Sequence, residues 1–87
     1  MTKPSAVDSA RVSEVVYQAW RSALLLDELP DDANFFLLGG DSLTAVMVAA
    51  EVQDQLGAEI GLADLLEAPT VGEFAERVRA AVAAGAA

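Results

Sequence analysis

Apolar residues recur at three- and four-residue steps near the start of the chain, which is the spacing of one face of an α-helix. This pattern predicts a first helix over residues 9–25, with Asp8 or Ser9 as its cap. The apolar face of this helix consists of Val12, Val15, Val16, Ala19, Trp20, Ala23 and Leu24. Pro30 and the acidic residues around it end the helix, because proline cannot continue it.

A second helix is predicted from Asp41-Ser42 to Leu56, with Gly57 as its stop. It has two apolar faces: Ala45, Val48, Ala49, Val52 and Leu56 form one, and Leu43, Val46, Met47 and Ala50 form the other. Glu51 and Asp54 border the second face, whereas the first carries no charge. We therefore expect the first face to lie in the core and the second to face solvent.

Two more helices follow. A short helix is predicted over residues 62–66, closed before Pro69. The last helix begins at a capping box, in which Thr70 accepts from a free backbone amide and Glu73 returns the bond. Its buried stripe consists of Val71, Phe74, Val78 and Val82.

These elements predict an all-α fold, a small four-helix bundle of three main helices and one short helix. Arg77 and Arg79 fall outside the last apolar stripe, so we expect them on the solvent side. Residues 1–7 are expected to form a flexible arm and residues 83–87 a frayed tail. The whole chain, residues 1–87, is expected to form a single domain.

The connection between the first two helices is long for a small bundle. It contains four successive apolar residues, Phe35-Phe36-Leu37-Leu38, followed by Gly39-Gly40. An apolar run of this kind is unfavourable in water, so we expect it to pack against the helices and hold the loop in an ordered path. The glycines then allow a sharp turn into the second helix.

The net charge and the distribution of basic residues exclude some classes of function. The 87 residues carry a net charge of -9, with no basic residue between Arg21 and Arg77. A nucleic-acid-binding surface needs clustered basic residues, so this class is excluded, and an anionic membrane is disfavoured. The acidic surface favours cationic protein partners.

The chain has no Cys and no His. It therefore lacks a thiolate nucleophile, a zinc knuckle and the commonest general base, and we expect neither catalysis nor a metal site. The acidic residues between Asp27 and Asp32 lack the glycine and glutamate positions of a calcium loop. The polar start, Met1-Thr2-Lys3-Pro4, has no signal-peptide core, so we expect a cytoplasmic protein.

Ser42 is the candidate for chemistry, at the end of the long loop. It has three interpretations, of which the simplest is that Asp41 or Ser42 only caps the helix. The second, a hydrolase nucleophile, is unsupported because the sequence Gly-Asp-Ser-Leu-Thr lacks the second glycine of a nucleophile elbow and no His is available as a base. In the third, another enzyme modifies Ser42 with a phosphodiester, which the positive end of a helix dipole tolerates. We favour the third.

The segment Phe35-Phe36-Leu37-Leu38-Gly39-Gly40-Asp41-Ser42-Leu43 closely resembles the core motif of peptidyl carrier proteins, the thiolation domains of nonribosomal peptide synthesis. Trp20 and Leu24 resemble the Trp and Leu of the family's first helix. Pro69-Thr70-Val71, followed by Phe74-Ala75, resembles the entry to its last helix. The resemblance covers about residues 12–82.

The resemblance implies a monomeric carrier that is not an enzyme. A phosphopantetheinyl transferase would attach 4′-phosphopantetheine from coenzyme A to Ser42, beside Asp41. The thiol of this arm would carry an aminoacyl or peptidyl thioester between an adenylation enzyme, condensation or tailoring enzymes and a thioesterase, as in antibiotic biosynthesis. The partner surface would consist of Leu43, Val46 and Met47, together with the loop before Ser42 and the short helix from Leu62 to Leu66.

Two alternatives remain open. Asp41 stands where many peptidyl carriers have His, and Leu37 where an acidic residue is frequent. Asp at the first position is typical of a subset of peptidyl carriers and of the acyl carrier proteins of polyketide and fatty acid synthesis, which are one alternative. The other is an unmodified acidic helical adaptor that uses the face from Leu43 to Met47.

Overall fold

The computed structural model describes residues 9–85 and places four helices in this range: α1 (Ser9–Leu24), α2 (Ser42–Leu56), α3 (Leu62–Glu67) and α4 (Val71–Gly85). The predicted all-α four-helix bundle is confirmed. Gly57 adopts a left-handed conformation (φ +69°) and ends α2, as its position predicts. No helix in the described range is both long and apolar enough to cross a membrane.

Three aromatic side chains from separate parts of the chain meet in the core. The Trp20 ring lies 5.1 Å from the Phe35 ring, edge to face, and 6.0 Å from the Phe74 ring. All three side chains are fully buried. The predicted apolar stripes of α1, α2 and α4 belong to the same core, with Ala23, Leu24 and Val82 only partly buried. The core therefore joins α1, the loop after it and α4.

The loop between α1 and α2 is ordered, as the sequence predicts. Its backbone pairs with the start of α4: the Phe35 amide donates to the Pro69 carbonyl at 2.8 Å, and the Val71 amide donates to the Ala33 carbonyl at 2.9 Å. The Tyr17 hydroxyl donates to Asp31 at 2.8 Å. Burial raises the pKa of Tyr17, and the bond to Asp31 adds to this rise. The loop is thus held both by the middle of α1 and by the start of α4.

The prediction that all four residues of the apolar run pack inward is wrong for two of them. Phe35 is buried and Phe36 half-buried, whereas Leu37 and Leu38 are 85% and 40% exposed. Their exposures differ because this part of the loop forms a turn rather than an extended segment. The Asn34 side chain accepts from the amides of the second and third residues of the run, and its carbonyl accepts from the Leu38 amide at 3.1 Å. Successive side chains therefore diverge.

The two arginines of α4 are partly exposed and lie outside the buried stripe as predicted, but they also make contacts with other helices that were not predicted. Arg77 lies 2.9 Å from Glu67 and 3.3 Å from Asp64, and these contacts join α4 to α3. Arg77 donates hydrogen bonds to these carboxylates, and the bond to Glu67, ahead of the bond to Asp64, raises the pKa of Arg77. Arg79 donates to the Ser9 hydroxyl at 2.7 Å and joins α4 to α1. These contacts cross helices, so no local pattern signals them.

The chain ends differ in part from the prediction. The expected frayed tail is wrong for residues 83–85, because α4 continues through Gly85. Alanine has the highest helix propensity and favours this extension. The predicted arm at residues 1–7 and the last two residues of the predicted tail lie outside the described residues. At the start of α4, Thr70 accepts from the Glu73 amide at 3.3 Å, but the Glu73 carboxylate accepts from the Thr70 hydroxyl rather than from its backbone amide.

Candidate functional site

The two glycines before α2 are needed for different reasons. Gly39 has a φ of +104°, a conformation that L side chains rarely adopt. Gly40 packs directly on the Phe35 ring, so that a Cβ at this position would overlap the ring. The Gly40 amide also donates to the Phe35 carbonyl at 3.0 Å. The chain therefore runs from a buried aromatic residue to the start of α2 along a tightly fixed path.

Asp41 is the N-cap of α2, which settles which of the two candidate residues caps the helix. Its backbone is extended, and its Oδ1 accepts from the Thr44 amide at 2.9 Å and from the Thr44 hydroxyl at 2.8 Å. The bond from the Thr44 amide, followed by the bond from its hydroxyl, lowers the pKa of Asp41. Asp41 is therefore ionised at neutral pH, and Ser42 is not needed as the cap.

Ser42 is the first residue of α2 and is exposed to solvent. It lies at the positive end of the helix dipole, where an anionic group is favoured and where backbone amides without helical partners remain. Leu43, the next residue, is 71% exposed and offers an apolar surface beside the hydroxyl. An anionic phosphodiester followed by a long flexible arm fits these surroundings. Residues 9–85 contain no group of His, Cys, Asp and Glu able to hold a metal ion.

The two apolar faces of α2 are oriented as predicted. Every member of the first face is buried, whereas Leu43, Val46 and Met47 on the second face are 71%, 47% and 59% exposed. Glu51 and Asp54 are also exposed and border this second face. We call Leu43, Val46 and Met47 the exposed α2 face.

The prediction that Leu62 lies exposed on the partner surface is wrong. Leu62 is only partly exposed and packs against the core, while Leu66 of the same helix is 55% exposed. Leu66 lies within the predicted short-helix surface and is its exposed leucine, whereas the outward position of Leu37 and Leu38 is not expected from the packing of the apolar run. Leu65 is fully buried, and Leu66 lies about 100° further around the helix, so the helical period signals its exposure once Leu65 is placed in the core.

The family described as phosphopantetheine attachment site matches residues 14–78, which is most of the chain. The chain belongs to this family. The resemblance drawn from the sequence is thereby confirmed, and so is the cofactor, because domains of this family carry covalently attached 4′-phosphopantetheine. The chain is a carrier domain.

The relatives by sequence are much longer than this chain. Malpibaldin synthetase of Mortierella alpina is 43% identical over 61 residues, covering 70% of this chain and 1% of the synthetase. A dimodular nonribosomal peptide synthase of Bacillus subtilis (strain 168) is 38% identical over 65 residues, covering 75% of this chain and 3% of the synthase. The chain thus spans a few per cent of these relatives.

Solved structures of similar size share the fold. BlmI, a type-II acyl-carrier-protein from Streptomyces verticillus involved in bleomycin biosynthesis, superimposes with a TM-score of 0.76 at 26% identity, covering 83% of this chain and 87% of BlmI. A nonribosomal PCP domain superimposes with a TM-score of 0.68 at 25% identity, covering 87% of this chain and 92% of that domain. The first is named as an acyl carrier protein, and the second is named as a peptidyl carrier protein domain.

Proposed function

We propose that this carrier bears its phosphopantetheine arm on Ser42 and passes an aminoacyl or peptidyl group between enzymes of nonribosomal peptide synthesis. The observation that carries the proposal is the geometry at the start of α2. Asp41 caps the helix, and this leaves the neighbouring Ser42 exposed in the first turn. The peptide synthetases among the relatives support the peptidyl assignment.

Attachment makes one bond to phosphorus and breaks another, and it releases the proton of the serine hydroxyl. The Ser42 Oγ forms an ester with the phosphorus next to the pantetheine in coenzyme A, the pyrophosphate bond breaks, and adenosine 3′,5′-bisphosphate leaves. The serine proton passes to a base of the transferase, since the chain has no His to receive it. When bound, the arm supplies a terminal thiol that holds the cargo as a thioester. The role of Ser42 is therefore attachment rather than catalysis.

The partners we propose are a phosphopantetheinyl transferase, an adenylation enzyme, condensation or tailoring enzymes and a thioesterase. The exposed α2 face offers them an apolar contact close to Ser42, and Leu66 on α3 adds another exposed apolar side chain. Because the chain carries a net charge of -9, partners with basic residues around an apolar patch fit it best.

Three further features belong to this proposal. The chain acts as a single carrier domain and as a monomer. It has no catalytic activity of its own, which the absence of His and Cys from the sequence supports. It acts in the cytoplasm, where coenzyme A is available to the transferase.

A second candidate is an acyl carrier protein of polyketide or fatty acid synthesis. Asp41 favours it, since Asp at this position is typical of that branch. The absence of basic residues between Arg21 and Arg77 favours it as well. The two candidates share Ser42 and the arm, and they differ in whether the cargo bears an amino group.

Intact mass spectrometry tests the attachment. The protein is incubated with coenzyme A, magnesium and a broad-specificity phosphopantetheinyl transferase, beside the variants Ser42→Ala and Ser22→Ala. We expect the mass of one phosphopantetheine to be added to the wild type and to Ser22→Ala, because Ser22 lies on α1 rather than at the start of α2. Ser42→Ala should gain nothing.

The opposite result is equally informative. If folded wild-type protein gains no mass while a known carrier is modified in parallel, the carrier proposal fails and an unmodified adaptor becomes the better explanation. Loading of the modified protein by adenylation enzymes with amino acids, against loading with acyl groups, then separates the peptidyl from the acyl candidate.

A further inference from the structure

A groove of about 240 Å³ lies between α1 and α2. Its deepest residues are the buried Ala19 and Val48, with Ala23 half-buried beside them. The exposed side chains of Met47 and Glu51 border it on the α2 side, and Gln18 and Ser22 border it on the α1 side. The groove thus has an apolar floor and a mostly polar rim, and Glu51 is the one charged residue among those that line it.

An apolar path leads from Ser42 toward this groove. Leu43, Met47 and Glu51 follow one another at four-residue intervals, so they form one stripe along α2 that starts beside Ser42. Leu43 and Met47 are both more than half exposed. The helix rises about 1.5 Å per residue, so Glu51 lies about 14 Å along the axis from Ser42. An extended phosphopantetheine arm is longer than this distance and reaches the groove.

The charge at the end of the path indicates the kind of cargo. An aminoacyl thioester carries a free ammonium group, whereas a simple acyl thioester carries none. The Glu51 carboxylate is held by a hydrogen bond from the Gln55 side-chain amide, and a carboxylate is the natural acceptor for an ammonium group. Arg21, which precedes the groove residue Ser22 in the sequence, lines a neighbouring depression rather than this groove.

We propose that the α1–α2 groove holds the aminoacyl group of the loaded carrier. Its ammonium group pairs with Glu51, and its side chain lies against Met47 and Ala23. This proposal rests on attachment at Ser42 and deepens it, because the groove favours cargo that bears an amino group over cargo that does not. The docked cargo is also shielded in part from water between one enzyme and the next.

Two loaded forms that differ only in the amino group test the proposal. The transferase loads the protein with alanyl or propionyl groups from coenzyme A analogues in which an amide replaces the thioester for stability. Intact mass confirms loading, and ¹H–¹⁵N spectra are compared with those of the unloaded arm-bearing form. We expect the alanyl form to shift the amide resonances of Ser22, Ala23 and Met47 several-fold more than the propionyl form.

Glu51→Gln and Asp54→Asn form a matched pair of variants. Both remove one exposed acid of α2, but only Glu51 lines the groove. We expect Glu51→Gln to abolish the excess shift of the alanyl form and Asp54→Asn to retain it. The comparison of alanyl with propionyl in the wild type stands even if a variant is poorly folded.

Three outcomes overturn the proposal. In the first, alanyl and propionyl forms give the same shifts. In the second, the excess shift survives in Glu51→Gln. In the third, the groove residues shift only when a partner enzyme is added, which makes the groove a protein-docking surface. Failure to gain mass at all overturns the attachment at Ser42 itself, and the mass measurement separates that failure from the other three.

Discussion

The two faces of α2 are both apolar, and yet they occupy opposite environments. Val52 on one face is fully buried, while Val46 on the other is 47% exposed. The buried face consists of small and β-branched residues, with Leu56 at its end, that pack closely against the neighbouring elements. The exposed α2 face contains Leu43 and Met47, larger and more adaptable side chains that lie outside the buried cluster of the described residues.

This difference shows that apolar character alone does not define the core. Both faces satisfy the helical period, so a hydrophobicity pattern assigns them the same tendency to be buried. Glu51 and Asp54 decide between them, because charged side chains that border a face keep it at the surface. An apolar face left in water is unfavourable in an isolated protein and is typical of an interaction surface.

The largest change in the free energy of unfolding is expected in the loop before α2, where Phe35 is buried and Leu37 is 85% exposed. Phe35→Ala should lower the free energy of unfolding by about 3–5 kcal/mol, because it removes a ring packed on Trp20 and leaves a cavity. Leu37→Ala should change it by less than about 0.5 kcal/mol. Urea denaturation measures both values. If Leu37→Ala lowered the free energy of unfolding as much as Phe35→Ala, Leu37 would have to be buried, and the turn in this segment would be wrong.

The second prediction makes the same substitution on the two faces of α2. Val52→Ala should lower the free energy of unfolding by about 2 kcal/mol, because two buried methyl groups are lost. Val46→Ala should cost less than about 0.5 kcal/mol, since an exposed valine gains little from folding and alanine favours the helix. Urea denaturation again gives the comparison. Equal costs would place Val46 in the core and remove the distinction between the faces.

The smallest effect concerns the start of α2 and depends on pH. The folded pKa of Asp41 lies below its ordinary value of 3.8, so the ionised cap contributes stability above pH 3.8 and loses it as the pH falls through the folded pKa. Asn also caps helices but does not titrate. The stability advantage of the wild type over Asp41→Asn should therefore be present at pH 7 and shrink below pH 3.8. Thermal melting at pH 7 and at about pH 3 checks this; an advantage that grows in acid would contradict it.

Much of the fold follows from the sequence because the helices are long, periodic and clearly bounded. Gly57 and Thr70 mark helix boundaries by chemistry that acts within a few residues. The run from Phe35 to Leu38 is different, since four apolar residues in succession carry no period to separate inward from outward positions. In α3, six residues are too few for a stripe to show that Leu65 lies in the core, and only that assignment identifies Leu66 as exposed.

The site also combines residues that the local sequence identifies with features that depend on how the helices pack. Ser42 and Asp41 stand out locally, by the double glycine before them and the helix after them. The contacts of Arg77 and Arg79 with other helices depend on how the helices pack, which no local pattern encodes. The groove between α1 and α2 likewise exists only once residues from both helices meet. Neither feature was predictable from one sequence.

Trp20, at the centre of the core, is also an intrinsic fluorescence probe of this protein. It is the single tryptophan of the chain, it is fully buried, and its indole N–H has no hydrogen-bond partner among the described residues. Indole emission shifts to longer wavelength when water reaches the ring. Phe35 covers one side of that ring and also touches Gly40, two residues before Ser42. The intrinsic fluorescence therefore registers any loosening of the segment that presents Ser42, without an added dye.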